Sequence, residues 1–225
     1  MTRSYFITGT DTGVGKTIVT SSIARALRLK GVDVGVMKPV ESGCVDKDGS
    51  PVPADALALK EASGSTDAID DICPYRLSLP LSPHLAARMA GVEVDFGVIL
   101  SVYGKLSARH GIMLVEGAGG LLTPLTDELT VADLAVKLQL PVIIVADSKL
   151  GVINHALLTI EAVQRRGLTV GAVILNRASG AADPSVEHNS AEIKRKTGLP
   201  VYDFPHVKNK APGQVAGGLV DCLFG

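Results

Sequence analysis

Gly9-Thr10-Asp11-Thr12-Gly13-Val14-Gly15-Lys16-Thr17 follows the apolar run Tyr5-Phe6-Ile7 and precedes a long amphipathic stretch. Strand, Gly-rich loop and helix in that order are the context in which Gly-Lys-Thr marks a phosphate-binding loop. Small residues let backbone N–H groups close around a phosphate, and the helix N-terminus adds partial positive charge beneath it. In such a loop Lys16 reaches the β- and γ-phosphates and the Thr17 hydroxyl ligates Mg²⁺. One position departs from the usual spacing. Thr10 stands where a Gly is expected, with Gly9 one residue earlier. The competing reading is a plain Gly-rich turn with a solvated lysine. It does not account for Gly13, Gly15, Lys16 and Thr17 standing in register after a strand.

Outward from this loop, short apolar runs alternate with amphipathic stretches. The runs predict strands at Tyr5–Thr8, Val32–Lys38, Ile112–Glu116, Val142–Ala146, Val170–Asn176 and Pro200–Asp203. Val19, Ile23, Ala26 and Leu27 fall at helical spacing after the loop, with Gly31 placed to end the helix. Ala156, Ile160 and Val163 repeat the pattern, with Gly167 as the stop. This rhythm predicts an α/β fold: a single doubly wound, mostly parallel sheet with helices on both faces, a P-loop NTPase-like domain spanning residues 1–225. Glu41–Ser82 breaks the rhythm. It is rich in Gly, Ser, Asp and Pro and shows one helical pattern, Asp55–Ala62. Long irregular insertions of this kind often carry function.

Composition agrees with that architecture. Apolar residues make up 46% of the 225, aromatic residues 4%, and there is no Trp. An aliphatic core of that kind suits a parallel sheet covered on both faces. A net charge of −1 and the lack of a Lys/Arg run give no nucleic-acid surface. Cys44, Cys73 and Cys222 are odd in number and far apart, which reads as free thiols in a reducing compartment. No apolar run nears the roughly 20 residues needed to span a bilayer, and no leader pattern is seen, so the chain reads as a cytoplasmic protein.

Ligands of open parallel sheets bind beyond the carboxyl ends of the strands. The second strand ends in Lys38-Pro39-Val40-Glu41-Ser42-Gly43 and the third in Glu116-Gly117-Ala118-Gly119-Gly120. Glu116 follows an apolar run, the pattern that sets a carboxylate beside Mg²⁺ in P-loop proteins. The Gly-rich residues after it permit backbone to approach a ligand. Asp55 precedes Ala56-Leu57-Ala58-Leu59, where it reads equally well as a helix N-cap or as a metal ligand. Lys38 closes an apolar strand just before Pro39. A cation fixed there beside Lys16 would stabilise charge on a transferring phosphoryl group or an anionic acceptor. The five histidines show no metal-binding spacing, and no nucleophile elbow is present.

Taken together, GTDTGVGKT at Gly9–Thr17, KPVESG at Lys38–Gly43, DALAL at Asp55–Leu59, Ser82-Pro83-His84, EGAGG at Glu116–Gly120 and KLGVINH at Lys149–His155 resemble the dethiobiotin synthetase family. The resemblance runs over roughly residues 5–176. It implies Mg²⁺- and ATP-dependent joining of CO₂ to 7,8-diaminononanoate (7,8-diaminopelargonate), by way of a carbamate and a carbamic–phosphoric anhydride, in a homodimer. By position it implies that Gly13, Val14, Gly15, Lys16, Thr17 and Ile18 cradle the ATP phosphates. Thr17, Asp55 and Glu116 would hold Mg²⁺, and Lys38 with Lys16 would be catalytic. Glu116, Gly117, Ala118 and Gly119 would line the nucleotide site, and Asn176, Pro205, His206 and Val207 would surround the base. Thr12, Lys38, Ser42 and the helix start Gly151, Val152, Ile153 and Asn154 would bind the acceptor. Gly13 stands where many relatives carry Glu, so any role for that acid is absent. Two rivals fit less well. Cobyrinic-acid-type ligases need a glutaminase domain for which this chain has no room. Dimeric partitioning ATPases usually carry Lys where Asp11 stands and lack the KPVESG block.

Overall fold

A computed structural model describes residues 4–178, 183–206 and 216–224. The first third of the chain forms β1 (Tyr5–Gly9), α1 (Lys16–Leu29), β2 (Val34–Met37), β3 (Val40–Ser42), β4 (Val45–Lys47), β5 (Ser50–Val52), α2 (Ala54–Ser63) and α3 (Ile69–Ile72). The middle forms β6 (Tyr75–Leu77), α4 (Pro83–Met89), α5 (Phe96–Ser107), β7 (Ile112–Gly120) and α6 (Val131–Leu138). There follow β8 (Val142–Asp147), α7 (Val152–Gln164), β9 (Val170–Asn176), α8 (Val186–Thr197), β10 (Val201–Phe204) and α9 (Gly217–Phe224).

All six runs expected as strands pair, every neighbour parallel, in the order β10-β9-β8-β1-β7-β2. The chain moves outward from β1 to β2, returns through β7, and continues on the other side of β1. Strand order therefore reverses beside β1, where such sheets open a ligand crevice. Alternation along the strands divides the core in two. Tyr5 and Ile7 pack with Val19, Ile23 and Leu27 of α1, Leu59 of α2 and Leu223 of α9. Phe6, Met113 and Val115 pack on the opposite face with Ile99, Leu134, Val152 and Ile160. Helices cover both faces, as the expected doubly wound fold requires.

The segment from Glu41 to Ser82 holds more than the one expected helix. Beside α2 it contains the short α3, a parallel pair β3–β6 and an antiparallel hairpin β4–β5. Each of these strands has three residues, and β4 is exposed throughout, so no apolar alternation was there to read. α2 itself buries Ala56, Leu59 and Ala62.

At the opposite end of the sheet, His110 ties this segment to the strands. Its Nδ1 lies 2.9 Å from Asp33 Oδ1 and its Nε2 2.7 Å from Asp67 Oδ2. Only the imidazolium donates from both nitrogens. Arg109 also pairs with Asp67 and with Asp71, each at 3.1 Å. Burial alone would lower the His110 pKa, but the hydrogen bonds to Asp33 and Asp67 raise it above its ordinary 6.5. A raised folded value contributes stability that is fully present below the unfolded pKa of about 6.5 and is lost as pH rises through the folded pKa. Thermal stability of the wild type is therefore expected to fall as pH climbs from about 6.5 through the raised His110 pKa, and His110→Gln to remove that decline. Parallel pH profiles for the two proteins would show that the cluster is not linked to folding.

Candidate active site

The loop after β1 enters α1 through Gly15, whose φ of 89° is left-handed. A side chain there would also collide with Asn176, because a Cβ would lie 2.1 Å from its Nδ2. Asn176, at the end of β9, donates from Nδ2 to Val14 O at 2.9 Å, so a strand two places along the sheet from β1 braces the loop. Lys16 is buried at the start of α1, and its Nζ donates to Asp11 O at 3.1 Å. Burial first, then the nearby Lys38 charge, lowers the Lys16 pKa from 10.5 to about 8.

Lys38 is not a solvated edge residue: it is 3% exposed. Its Nζ donates to Glu116 Oε1 at 2.7 Å and lies 3.0 Å from Asp55 Oδ2 and 3.4 Å from Gly117 O. Burial would lower its pKa, but the adjacent Glu116 and Asp55 carboxylates outweigh burial and raise it. The same Glu116 Oε1 accepts the Thr17 hydroxyl at 2.8 Å. Glu116 is wholly buried, and among the described residues its Oε2 has no hydrogen-bond partner. Gly117, next along β7, must be small, since a Cβ would come within 2.8 Å of Val131 and 3.2 Å of the Phe6 ring.

Asp55 does not cap α2. Pro53 occupies the N-cap position and Asp55 lies inside the first turn. The Glu41 carboxylate takes the cap's role from outside the helix, accepting Asp55 N at 2.9 Å and Ala56 N at 3.0 Å. The Asp55 side chain is thereby free to face Lys38, and it stays 42% exposed toward the cleft. Burial opposes its ionisation, but Lys38 outweighs that and lowers its pKa. Sequence reading gave Glu41 no role. The available signal was Pro53, a helix start with no acceptor of its own, which needs one from elsewhere.

A cleft of about 350 Å³ opens over these groups, and Thr12, Gly13, Gly15, Lys16, Thr17, Ile18, Lys38, Ser42, Asp55, Ala118 and Gly119 line it with Glu41. Residues from four separate chain segments thus meet at one mouth. The start of α7 stands apart: Val152 lines a smaller recess of about 100 Å³ with Asp11, Thr12 and Gly13 on the outer side of the loop. Gly151 and Asn154 are exposed there, and Ile153 is half-buried. His206, after β10, holds Arg177 O at 2.9 Å from its Nδ1, and Pro205 beside it is exposed. Val207 lies outside the described residues.

Chemically, the loop and α1 offer N–H donors that suit a polyphosphate, and two buried lysines, Lys16 and Lys38, line the cleft beside them. The oxygens of Thr17, Asp55 and Glu116 form a hard donor set that suits Mg²⁺. The unpartnered, buried Glu116 Oε2 fits that ion, since a cation would satisfy the lone pairs the protein leaves open. Among the described residues no cluster of three or more His, Cys, Asp or Glu could hold a metal alone. The set therefore suits an ion that phosphate oxygens help to coordinate.

A family model described as an AAA domain matches residues 3–202. The ATP-dependent dethiobiotin synthetase BioD of Anaeromyxobacter sp. (strain Fw109-5) is 47% identical over 213 residues, covering 94% of each chain. The chain belongs to the dethiobiotin synthetase family. Family members of the same name from Thermodesulfovibrio yellowstonii and Bacillus cereus (strain G9842) are 41% and 43% identical. They cover 87% and 88% of this chain and 85% and 80% of their own. Among solved structures, the cell division protein FtsY of Thermotoga maritima matches with a TM-score of 0.56 at 17% identity, over 100% of this chain and 69% of that one. That likeness shows the P-loop fold alone. The family membership rests on the synthetases.

Proposed function

We propose that this chain is an ATP-dependent dethiobiotin synthetase that carboxylates 7,8-diaminononanoate with CO₂ and closes the product ring at the expense of ATP. The observation that carries the reading is the meeting of Lys38, Glu116, Asp55 and Thr17 within 3.0 Å contacts at the mouth of the phosphate loop. The six-stranded sheet supplies the site from β1, β2 and β7, which supports residues 1–225 as one domain.

The reaction starts when one substrate amine captures CO₂ as a carbamate. Backbone N–H groups of Gly13 to Ile18 hold the ATP phosphates on the positive end of α1. Lys38, with its raised pKa, acts as a fixed cation and not as a proton acceptor. It faces the negative charge that builds as the γ-phosphoryl group passes to a carbamate oxygen. Lys16, released from Asp11 O, covers the opposite side of the phosphates. The second amine then attacks the carbonyl carbon of the resulting anhydride, the C–O bond to phosphate breaks, and the cyclic urea closes. Thr17, Asp55 and Glu116 are the residues that would hold Mg²⁺, which when bound would neutralise negative charge on the phosphates. Thr12 and Ser42 border the acceptor's end of the cleft. Asn176 reaches the loop at Val14 O, and His206 holds the backbone next to it at Arg177 O with Pro205 alongside, which supports a base site on the β9–β10 side.

The acceptor's carboxylate is assigned to the N–H groups of Gly151 to Asn154 across a homodimer interface. Leu150, 82% exposed, and Leu158 on α7 give that face apolar surface for a second copy. Sedimentation at assay concentrations is expected to show a dimer. A fully active monomer would overturn it. All three cysteines are free, which suits the cytoplasm, and no helix among the described residues is long and apolar enough to cross a membrane.

The direct test is incubation with Mg²⁺–ATP, bicarbonate and the diamine. Dethiobiotin, ADP and phosphate are expected in equal amounts by mass spectrometry and phosphate release. Folded protein that yields none at saturating substrates would refute the reading.

A further inference from the structure

The first turn of α2 has no cap from its own sequence. Pro53, at the N-cap position, offers no side-chain acceptor, and the first N–H groups of any helix lack intrahelical partners. Glu41, in β3, supplies acceptors for two of them. Its Oε1 takes Asp55 N at 2.9 Å and its Oε2 takes Ala56 N at 3.0 Å, from a side chain that is almost fully buried. A carboxylate also suits the positive end of the helix.

The chain between these partners leaves on the β4–β5 hairpin, where β4 is exposed throughout. The two hydrogen bonds therefore close the neck of an excursion that has little burial to fix it. Burial of Ala56, Leu59 and Ala62 sets the rotation of α2, and the Glu41 bonds set where its first turn begins. That turn carries Asp55, whose carboxylate must lie 3.0 Å from Lys38 Nζ.

We infer that Glu41 is a positioning residue: it staples the first turn of α2 across the hairpin neck and so aims Asp55 at Lys38 and at the cation site. The inference rests on the phosphoryl-transfer reading and adds to it a residue that acts through another. Both Glu41 oxygens are engaged by backbone, so its carboxylate is committed to α2. A neutral amide cannot replace it, because Gln would turn an NH₂ group toward one of the two N–H donors.

The test uses calorimetry of a non-hydrolysable ATP analogue with and without Mg²⁺, which needs no turnover. In the wild type Mg²⁺ is expected to tighten binding. Glu41→Gln and Glu41→Ala are expected to lose about tenfold of that tightening, within the ~10–100-fold that residues orienting a metal ligand are worth. Affinity without Mg²⁺ should be unchanged. In an Asp55→Asn background, adding Glu41→Ala should cost nothing further, since the two residues act in series. Additive losses would overturn the inference. So would intact Mg²⁺ coupling with only a lower Tm, which would make Glu41 a structural cap, or a raised KM for the diamine alone, which would make it a substrate contact. A wild type without Mg²⁺ coupling overturns it as well. A wild type that couples Mg²⁺ to nucleotide but forms no dethiobiotin would remove the proposed reaction and leave the Glu41 measurement standing.

Discussion

Lys38→Ala is expected to cut kcat by roughly 10²–10³-fold while leaving nucleotide affinity nearly unchanged, because a donor aimed at developing charge contributes chiefly in the transition state. The geometry supports that assignment. Lys38 is held by Glu116 and Asp55 at 2.7 and 3.0 Å, so its ammonium is already in place before substrate arrives. Pre-placement avoids reorganisation during the reaction, which is what makes such a group effective. The side chain also offsets the charge of a wholly buried Glu116. Removing one partner of a buried pair typically destabilises by about 3–5 kcal/mol. Lys38→Ala should therefore unfold at lower denaturant in the absence of Mg²⁺. The kinetic and folding effects separate in a measurement of kcat per nucleotide-binding site. Near-normal kcat with only a raised KM would assign Lys38 to uniform binding of substrate instead.

Most of the six sheet strands were legible as short runs of buried apolar residues bounded by Gly, Pro or a polar end, whereas β10, only partly buried, was marked by Pro200 after a helical stretch. Their order was legible only in part. A βαβ rhythm implies parallel strands, but nothing in Ile112–Gly120 says that it returns between β1 and β2. β3 to β6 escaped because three-residue strands carry no period, and exposed Val45 and Lys47 resemble any loop. Among the site residues, Lys16, Thr17 and Glu116 stood out since strand ends and the loop fix their places. Asp55 was ambiguous for a physical reason: an acid near a helix start satisfies local and distant partners equally well on paper. Only the position of Glu41, brought beside α2 by the hairpin, removes the local role. Asn176 is a further instance. Its position at a strand end was legible, but its hydrogen bond to Val14 O depends on β9 lying near β1, a tertiary fact.

Glu116→Gln tests the other half of the network, and its effect should be the larger on metal use. In β7, opposite Ile7 of β1, the Glu116 backbone is locked in the sheet, so substitution by an amide of the same shape changes charge far more than packing. Oε1 now accepts both Lys38 and Thr17, and Oε2 is left open among the described residues. An amide keeps one acceptor and presents N–H donors where a cation would sit. Two outcomes follow. Mg²⁺-dependent tightening of a non-hydrolysable ATP analogue should fall by more than the roughly 10–100-fold seen for outer-shell partners, since the proposal makes Glu116 a direct ligand. Lys38, in turn, keeps only the half-exposed Asp55 as counter-ion, so metal-free stability should drop by a few kcal/mol, about the cost of unpairing a buried charge. Calorimetry with and without Mg²⁺ reads the first outcome, and urea unfolding in chelator reads the second. If Glu116→Gln lost stability but kept its full Mg²⁺ coupling, Glu116 would be a counter-ion for Lys38 and not a metal ligand. The open Oε2 would then require another partner.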